Sequence, residues 1–133
     1  MAKIRHIAIR AEDPDATAKM FVEVFGLEFV QKRAHGPVDL SDGDVNITVL
    51  PLSLGADARE VHKGYEHIGF TVEDQDEIKQ RLLSHGAREL NPVQLGDAYY
   101  ESKYMSAEGL VIDVGHWRGT SPIGKEAVGA AKD

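Results

Sequence analysis

A histidine heads an apolar, β-prone run twice in this chain: His6-Ile7-Ala8-Ile9 followed by Glu12-Asp13, and His67-Ile68-Gly69-Phe70 followed by Glu73-Asp74. Two imidazoles at equivalent places in two copies of one unit converge on a point if the copies pack about a pseudo-two-fold axis, which is what a shared metal ion needs. A third group belongs with them. Asp113 stands inside the apolar run Val111-Ile112-Asp113-Val114. Aspartate is depleted in strands and a buried, partnerless charge is costly, so this carboxylate must be paired, solvated or bound to a metal. His6, His67 and Asp113 together make a two-histidine, one-carboxylate set that suits divalent iron, manganese, zinc or nickel. Such a set leaves coordination positions open for substrate, which indicates catalysis rather than a structural ion.

The elements that must hold these residues repeat as well. Residues 4–10 alternate as a strand, with Ile7 and Ile9 on one face and His6, Ala8 and Arg10 on the other. Asp13-Pro14 reads as an N-cap followed by proline at the first helical turn, and the helix is expected to bury Ala16, Met20, Phe21 and Val24 before Gly26 closes it. Strands are expected at 27–34, 38–40 and 45–50, separated by turn signals at His35-Gly36-Pro37 and Ser41-Asp42-Gly43. After a connection at 51–64, a strand at 65–72 leads to a helix capped by Asp74, with Ile78, Leu82 and Leu83 as its buried stripe and Gly86 at its end. Strands at 88–93, 99–105 and 110–117 complete a second βαβββ unit, and a tail of Gly, Ser, Pro, Lys and Ala follows from Arg118.

Other polar residues admit two readings each. Tyr99, Glu101 and Lys103 share one face of the seventh strand, the face expected to line the site. There Glu101 can act as a general base and Lys103 can hold an anionic substrate oxygen, or the two can form a solvated cross-strand ion pair. Arg10 shares the His6 face and either anchors a substrate carboxylate or closes a salt bridge. His116 lies three residues beyond Asp113 and so faces the opposite way on a regular strand, while His85 sits at a helix end and His35 and His62 in turns or linker.

The double βαβββ pattern, the two histidine-headed strands and Ser106-Ala107-Glu108-Gly109-Leu110-Val111-Ile112-Asp113 resemble the vicinal oxygen chelate superfamily over about residues 3–117. That group includes glyoxalases, extradiol dioxygenases, epimerases and bleomycin-binding proteins. The resemblance implies an α+β fold whose two modules form a cup-shaped eight-stranded sheet around a divalent metal. It places ligands at His6, His67 and Asp113, the last an aspartate where the family usually has glutamate. Isomerising members take a fourth ligand from the last strand of the first unit, where this chain reads Val45-Asn46-Ile47-Thr48-Val49. Three ligands resemble the dioxygenase branch and favour Fe2+, although the tyrosine of those dioxygenases falls on Lys103. The expected function is metal-dependent, dioxygenase-like chemistry on a small oxygenated substrate; the alternatives are a glyoxalase-type lyase or isomerase, and a metal-free binder of the bleomycin-resistance kind.

Composition bounds these readings. At 133 residues the chain suits one domain, with module 1 at about 3–50, the linker at 51–64, module 2 at about 65–117 and the tail at 118–133. It has no cysteine, so any metal takes nitrogen and oxygen ligands. A net charge of −7 with scattered basic residues argues against nucleic acid, and no apolar run approaches the length of a membrane helix. The opening residues lack signal-peptide character, which gives a cytoplasmic expectation. Open edges on eight short strands lead us to expect a homodimer.

Overall fold

The computed structural model describes residues 2–54, 61–95, 99–118 and 121–122; for 91–95, 99–101, 117–118 and 121–122 the description is of the backbone alone. The chain divides into two compact units, residues 6–67 and residues 68–133 with 1–5. The main strands fall into two mixed sets of four, one in each half of the chain.

The first half runs β1 (Lys3–Ala11), α1 (Pro14–Phe25), β2 (Glu28–Lys32), β3 (Val38–Ser41) and β4 (Asn46–Pro51), in strand order β2-β3-β4-β1. The β1–β4 pair is parallel, with His6 opposite Asn46 and Arg10 opposite Leu50. The helix begins where Asp13 accepts from the Ala16 N–H at 3.0 Å, and it ends where Gly26 adopts φ 71°, a left-handed conformation that a side chain would strain. The β3–β4 turn is held by Asp42, which accepts from the backbone N–H groups of Asp44 and Val45 at 2.8 and 2.7 Å. Those donors favour the carboxylate and hold the Asp42 carboxyl below its usual value.

The second half repeats the pattern as β5 (Gly64–Thr71), α2 (Gln75–Ser84), β6 (Arg88–Leu95), β7 (Tyr99–Met105) and β8 (Val111–Gly115), in strand order β5-β8-β7-β6. Its inner pair is again parallel, with Gly69 opposite Asp113. A two-residue ladder, β9 (Trp117–Arg118) with β10 (Ser121–Pro122), follows.

Each half-sheet has one face covered by its helix. In the first, Ala18 of α1 packs on Val38 and Leu40 of β3, flanked by Phe21, Val22, Leu27 and Ile47. In the second, Val72, Tyr104 and Val114 are joined by Ile78 and Leu82 of α2. These contacts correct the expected stripe of α1. Ala18, Phe21 and Val22 stand at i, i+3 and i+4 and take the sheet, which turns the Ala16–Met20–Val24 row outward and leaves Met20 and Val24 exposed. Leu83 of α2 is likewise exposed, one position off the Ile78–Leu82 row. No helix among the described residues is long and apolar enough to cross a membrane.

Candidate metal centre

The face of each half-sheet away from its helix is polar, and it too is buried. On β1 the alternation buries His6, Ala8 and Arg10 more deeply than Ile7 and Ile9. On the neighbouring strands Asp39, Ser41, Asn46 and Thr48 share this burial. Polar side chains withdrawn from water must bond to one another, and here they do so in two chains of contacts that end on the two histidines.

The first chain ends on His6. Its Nδ1 lies 2.6 Å from Asn46 Oδ1, the residue directly opposite in the parallel register. An amide oxygen only accepts, so His6 Nδ1 carries the proton. Asn46 Oδ1 is in turn 2.9 Å from the Thr48 hydroxyl, which also lies 2.7 Å from Asp39 Oδ1. Asp39 is held by Gln31 Nε2 at 2.9 Å and by the Arg33 guanidinium at 3.0 Å.

The second chain ends on His67. Its Nδ1 lies 2.9 Å from Glu66 Oε2, and since a carboxylate only accepts, His67 Nδ1 also carries its proton. The other oxygen of Glu66 accepts from Arg10 Nε at 3.0 Å, with both side chains almost wholly buried (3% and 7% exposed). Arg10 NH1 donates further to the carbonyls of Pro51 and Leu54, each at 2.9 Å, tying down the chain that leaves β4.

Both histidines are thus held in one tautomer, with Nε2 as the lone-pair nitrogen when the ring is neutral. The two Nε2 atoms face each other at 3.1 Å, with ring centroids 5.0 Å apart. Two lone pairs at that separation repel unless a proton on one ring or a cation held by both lies between them. An outer acceptor on each Nδ1 that presents each Nε2 inward is the second-shell arrangement of metal-ligating histidines. The donor set therefore fits a divalent ion.

In the second unit, Asp113 and Lys103 are direct cross-strand partners, and Lys103 Nζ donates to Asp113 Oδ1 at 2.6 Å. Both are buried (3% and 2% exposed), so water does little to screen the pair. Tyr104 and Val114, their sequence neighbours, point to the helix-covered core instead.

Among the residues expected from sequence, the structure brings His6 and His67 together, sets Asp113 against Lys103, and commits Arg10 to Glu66 and two backbone carbonyls. Lys103 forms a buried ion pair with Asp113. The side chains of Tyr99 and Glu101 lie outside the described residues, and the register places their backbones opposite Leu95 and Val93. His116 follows the end of β8. Sequence reasoning missed Glu66 and Asn46 as the outer partners of the histidines. Glu66 announces itself only as an acid beside a ligand, whereas Asn46 becomes visible once β1 and β4 are paired in parallel.

The profile of the Glyoxalase/Bleomycin resistance protein/Dioxygenase superfamily matches residues 3–109. No curated protein matches the chain in sequence. Among solved structures, a methylmalonyl-CoA epimerase in complex with methylmalonyl-CoA and NH4+ superposes with a TM-score of 0.71 at 19% identity, covering 92% of this chain and 99% of that one. The methylmalonyl-CoA epimerase from Mycobacterium tuberculosis gives 0.69 at 20% identity, over 94% and 91%. The 2,3-dioxygenase LapB from Pseudomonas sp. KL28 gives 0.68 at 13% identity, over 90% of this chain and 42% of that one. At these identities the likeness shows the fold.

Proposed function

We propose that this chain, which belongs to the Glyoxalase/Bleomycin resistance protein/Dioxygenase superfamily, is a divalent-metal-dependent enzyme acting on a small substrate that chelates through two neighbouring oxygens. His6, His67 and Asp113 are its protein ligands, each offering one ligand atom. The observation that carries this reading is the paired tautomer lock, which turns two Nε2 lone pairs toward each other at 3.1 Å. For Asp113 the support is a buried carboxylate standing inside an apolar strand.

When bound, a divalent ion supplies Lewis-acid polarisation of the substrate oxygens. The protein's part is to position. Asn46 and Glu66 fix the two rings, Arg10 balances the charge of Glu66, and Lys103 holds one oxygen of Asp113 in place. Asn46 stands on the strand from which a fourth ligand would come, and its amide oxygen is committed to His6. A three-ligand set favours a dioxygenase-like reaction with Fe2+ over a glyoxalase-type lyase or isomerase, because it leaves more positions for substrate and oxygen.

One contact favours a second reading. The Lys103 ammonium already neutralises Asp113, so the same site can persist as a metal-free pocket that binds a small molecule. Metal analysis of protein purified without chelators separates the two. The expected result is about one ion per chain in the parent and none in His67→Ala. Turnover of catechols, α-hydroxyketones or thiohemiacetals that survives complete metal removal would overturn the enzyme reading.

A further inference from the structure

We infer that the nitrogen His6 offers to a metal is chosen at a distance: the Thr48 hydroxyl holds the Asn46 amide oxygen toward the imidazole, while Gln31 and Arg33 keep Asp39 from claiming the same hydroxyl proton. All of these residues lie within the unit of residues 6–67. They are positioning residues, and their consequence for metal binding rests on the metal reading above.

Two influences act on the imidazole proton of His6. On one side stands His67, whose Nδ1–H is committed to Glu66, so that its Nε2 turns a lone pair toward His6 Nε2 at 3.1 Å. Without a metal, that lone pair draws the His6 proton to Nε2 and takes the nitrogen out of coordination. On the other side, Asn46 Oδ1 at 2.6 Å keeps the proton on Nδ1. A half-turn of the amide would put its NH2 group in the same place, and the Nε2–H tautomer of His6 would then satisfy both neighbours. Something must prefer the oxygen. Thr48 Oγ lies 2.9 Å from it, and a hydroxyl that donates there has no acceptor if the amide turns over.

A hydroxyl has one proton, and Thr48 Oγ also lies 2.7 Å from Asp39 Oδ1. If Asp39 takes that proton, Thr48 turns a lone pair toward Asn46 and favours the amide nitrogen there. Asp39 is supplied from elsewhere. Gln31 Nε2 donates to Oδ2 at 2.9 Å and the Arg33 guanidinium to Oδ1 at 3.1 Å, with Arg33 Nε 3.0 Å from Oδ2. Donors already on both oxygens weaken the pull of the carboxylate on the hydroxyl. Asp39, Asn46 and Thr48 are all buried, so the order of protons along the chain is set by these partners rather than by water.

Long-range 1H–15N correlation spectra of the metal-free protein, at a mildly alkaline pH where imidazoles are neutral, read the tautomer of His6 directly. The parent and Thr48→Ser should show the Nδ1–H form, Thr48→Val chiefly the Nε2–H form, and Gln31→Met a shift in the same direction. Calorimetric titration with Zn2+ should then give Thr48→Val an affinity about tenfold below the parent, the low end for changes outside the ligand shell, and Thr48→Ser an affinity near the parent's. A Thr48→Val protein that keeps the Nδ1–H form overturns the inference and leaves the metal reading intact, as does a Thr48→Ser protein that behaves like Thr48→Val. If Thr48→Val fails to fold by circular dichroism, Gln31→Met on the exposed strand β2 decides, and an unchanged tautomer there overturns the inference. A parent already in the Nε2–H form overturns both readings. A parent in the Nδ1–H form that does not bind Zn2+ removes the metal reading alone, and the tautomers of the variants still decide the role of Thr48.

Discussion

Replacing Glu66 with glutamine changes one atom and reverses the hydrogen-bond logic around His67. The carboxylate now accepts twice, from Arg10 Nε at 3.0 Å and from His67 Nδ1 at 2.9 Å. A primary amide has one accepting oxygen and one donating nitrogen. If the oxygen stays with the guanidinium, which can only donate, the NH2 group faces His67 Nδ1 and requires a lone pair there. The imidazole proton then moves to Nε2, the atom that should bind the metal. Outer-shell changes at metal-ligating histidines typically lower affinity by about 10–100-fold, and a forced tautomer change belongs at the upper end of that range, near 2.7 kcal/mol. Stability falls as well. Removing one member of a buried ion pair costs about 3–5 kcal/mol. The lower end applies here, because Arg10 keeps an amide oxygen and the carbonyls of Pro51 and Leu54. The assays are calorimetric titration with Mn2+, urea unfolding, and imidazole 15N shifts, which report the tautomer directly. A Glu66→Gln protein that binds Mn2+ within about twofold of the parent refutes the tautomer argument, since the drop expected from the outer shell is at least about tenfold.

Asn46→Leu should weaken metal binding in the same way from the other histidine and cost about 1–3 kcal/mol in unfolding, because the His6 Nδ1 proton loses its acceptor in a buried setting. Ala8→Leu should destabilise by about 1–3 kcal/mol, measured by thermal unfolding, because Ala8 is completely buried between His6 and Arg10 on β1. Among the described residues the outer strands of the two halves, β2 and β6, each have one unpaired edge in the strand order, so a homodimer is expected; light scattering that gives 14.6 kDa across micromolar concentrations would rule it out.

The fold was legible because its signals are local and occur twice. Asp13 and Asp74 cap helices, Gly26 ends one, and the histidine-headed strands mark the start of each half. The face of α1 was not legible, because Ala16, Met20 and Val24 form as good an apolar row as Ala18, Phe21 and Val22, and only contact with Val38 and Leu40 chooses between them. The candidate ligands stood out because histidine and aspartate are out of place in apolar runs. Their supports did not. Glu66 and Arg10 read individually as solvated charges, and their pairing spans 56 positions in sequence. Lys103 and Asp113 are 10 residues apart, and pairing them requires the exact β7–β8 register rather than the knowledge that both are strands.

The two histidines are equivalent in position and unequal in backing, His6 against a neutral amide and His67 against a carboxylate. A carboxylate drains proton density from its imidazole more strongly than an amide does, so His67 is the more electron-rich donor. A divalent ion held by these two rings would meet one stronger and one weaker nitrogen donor. The repeat is thus an asymmetric template, alike in where it places its imidazoles and unlike in how it backs them.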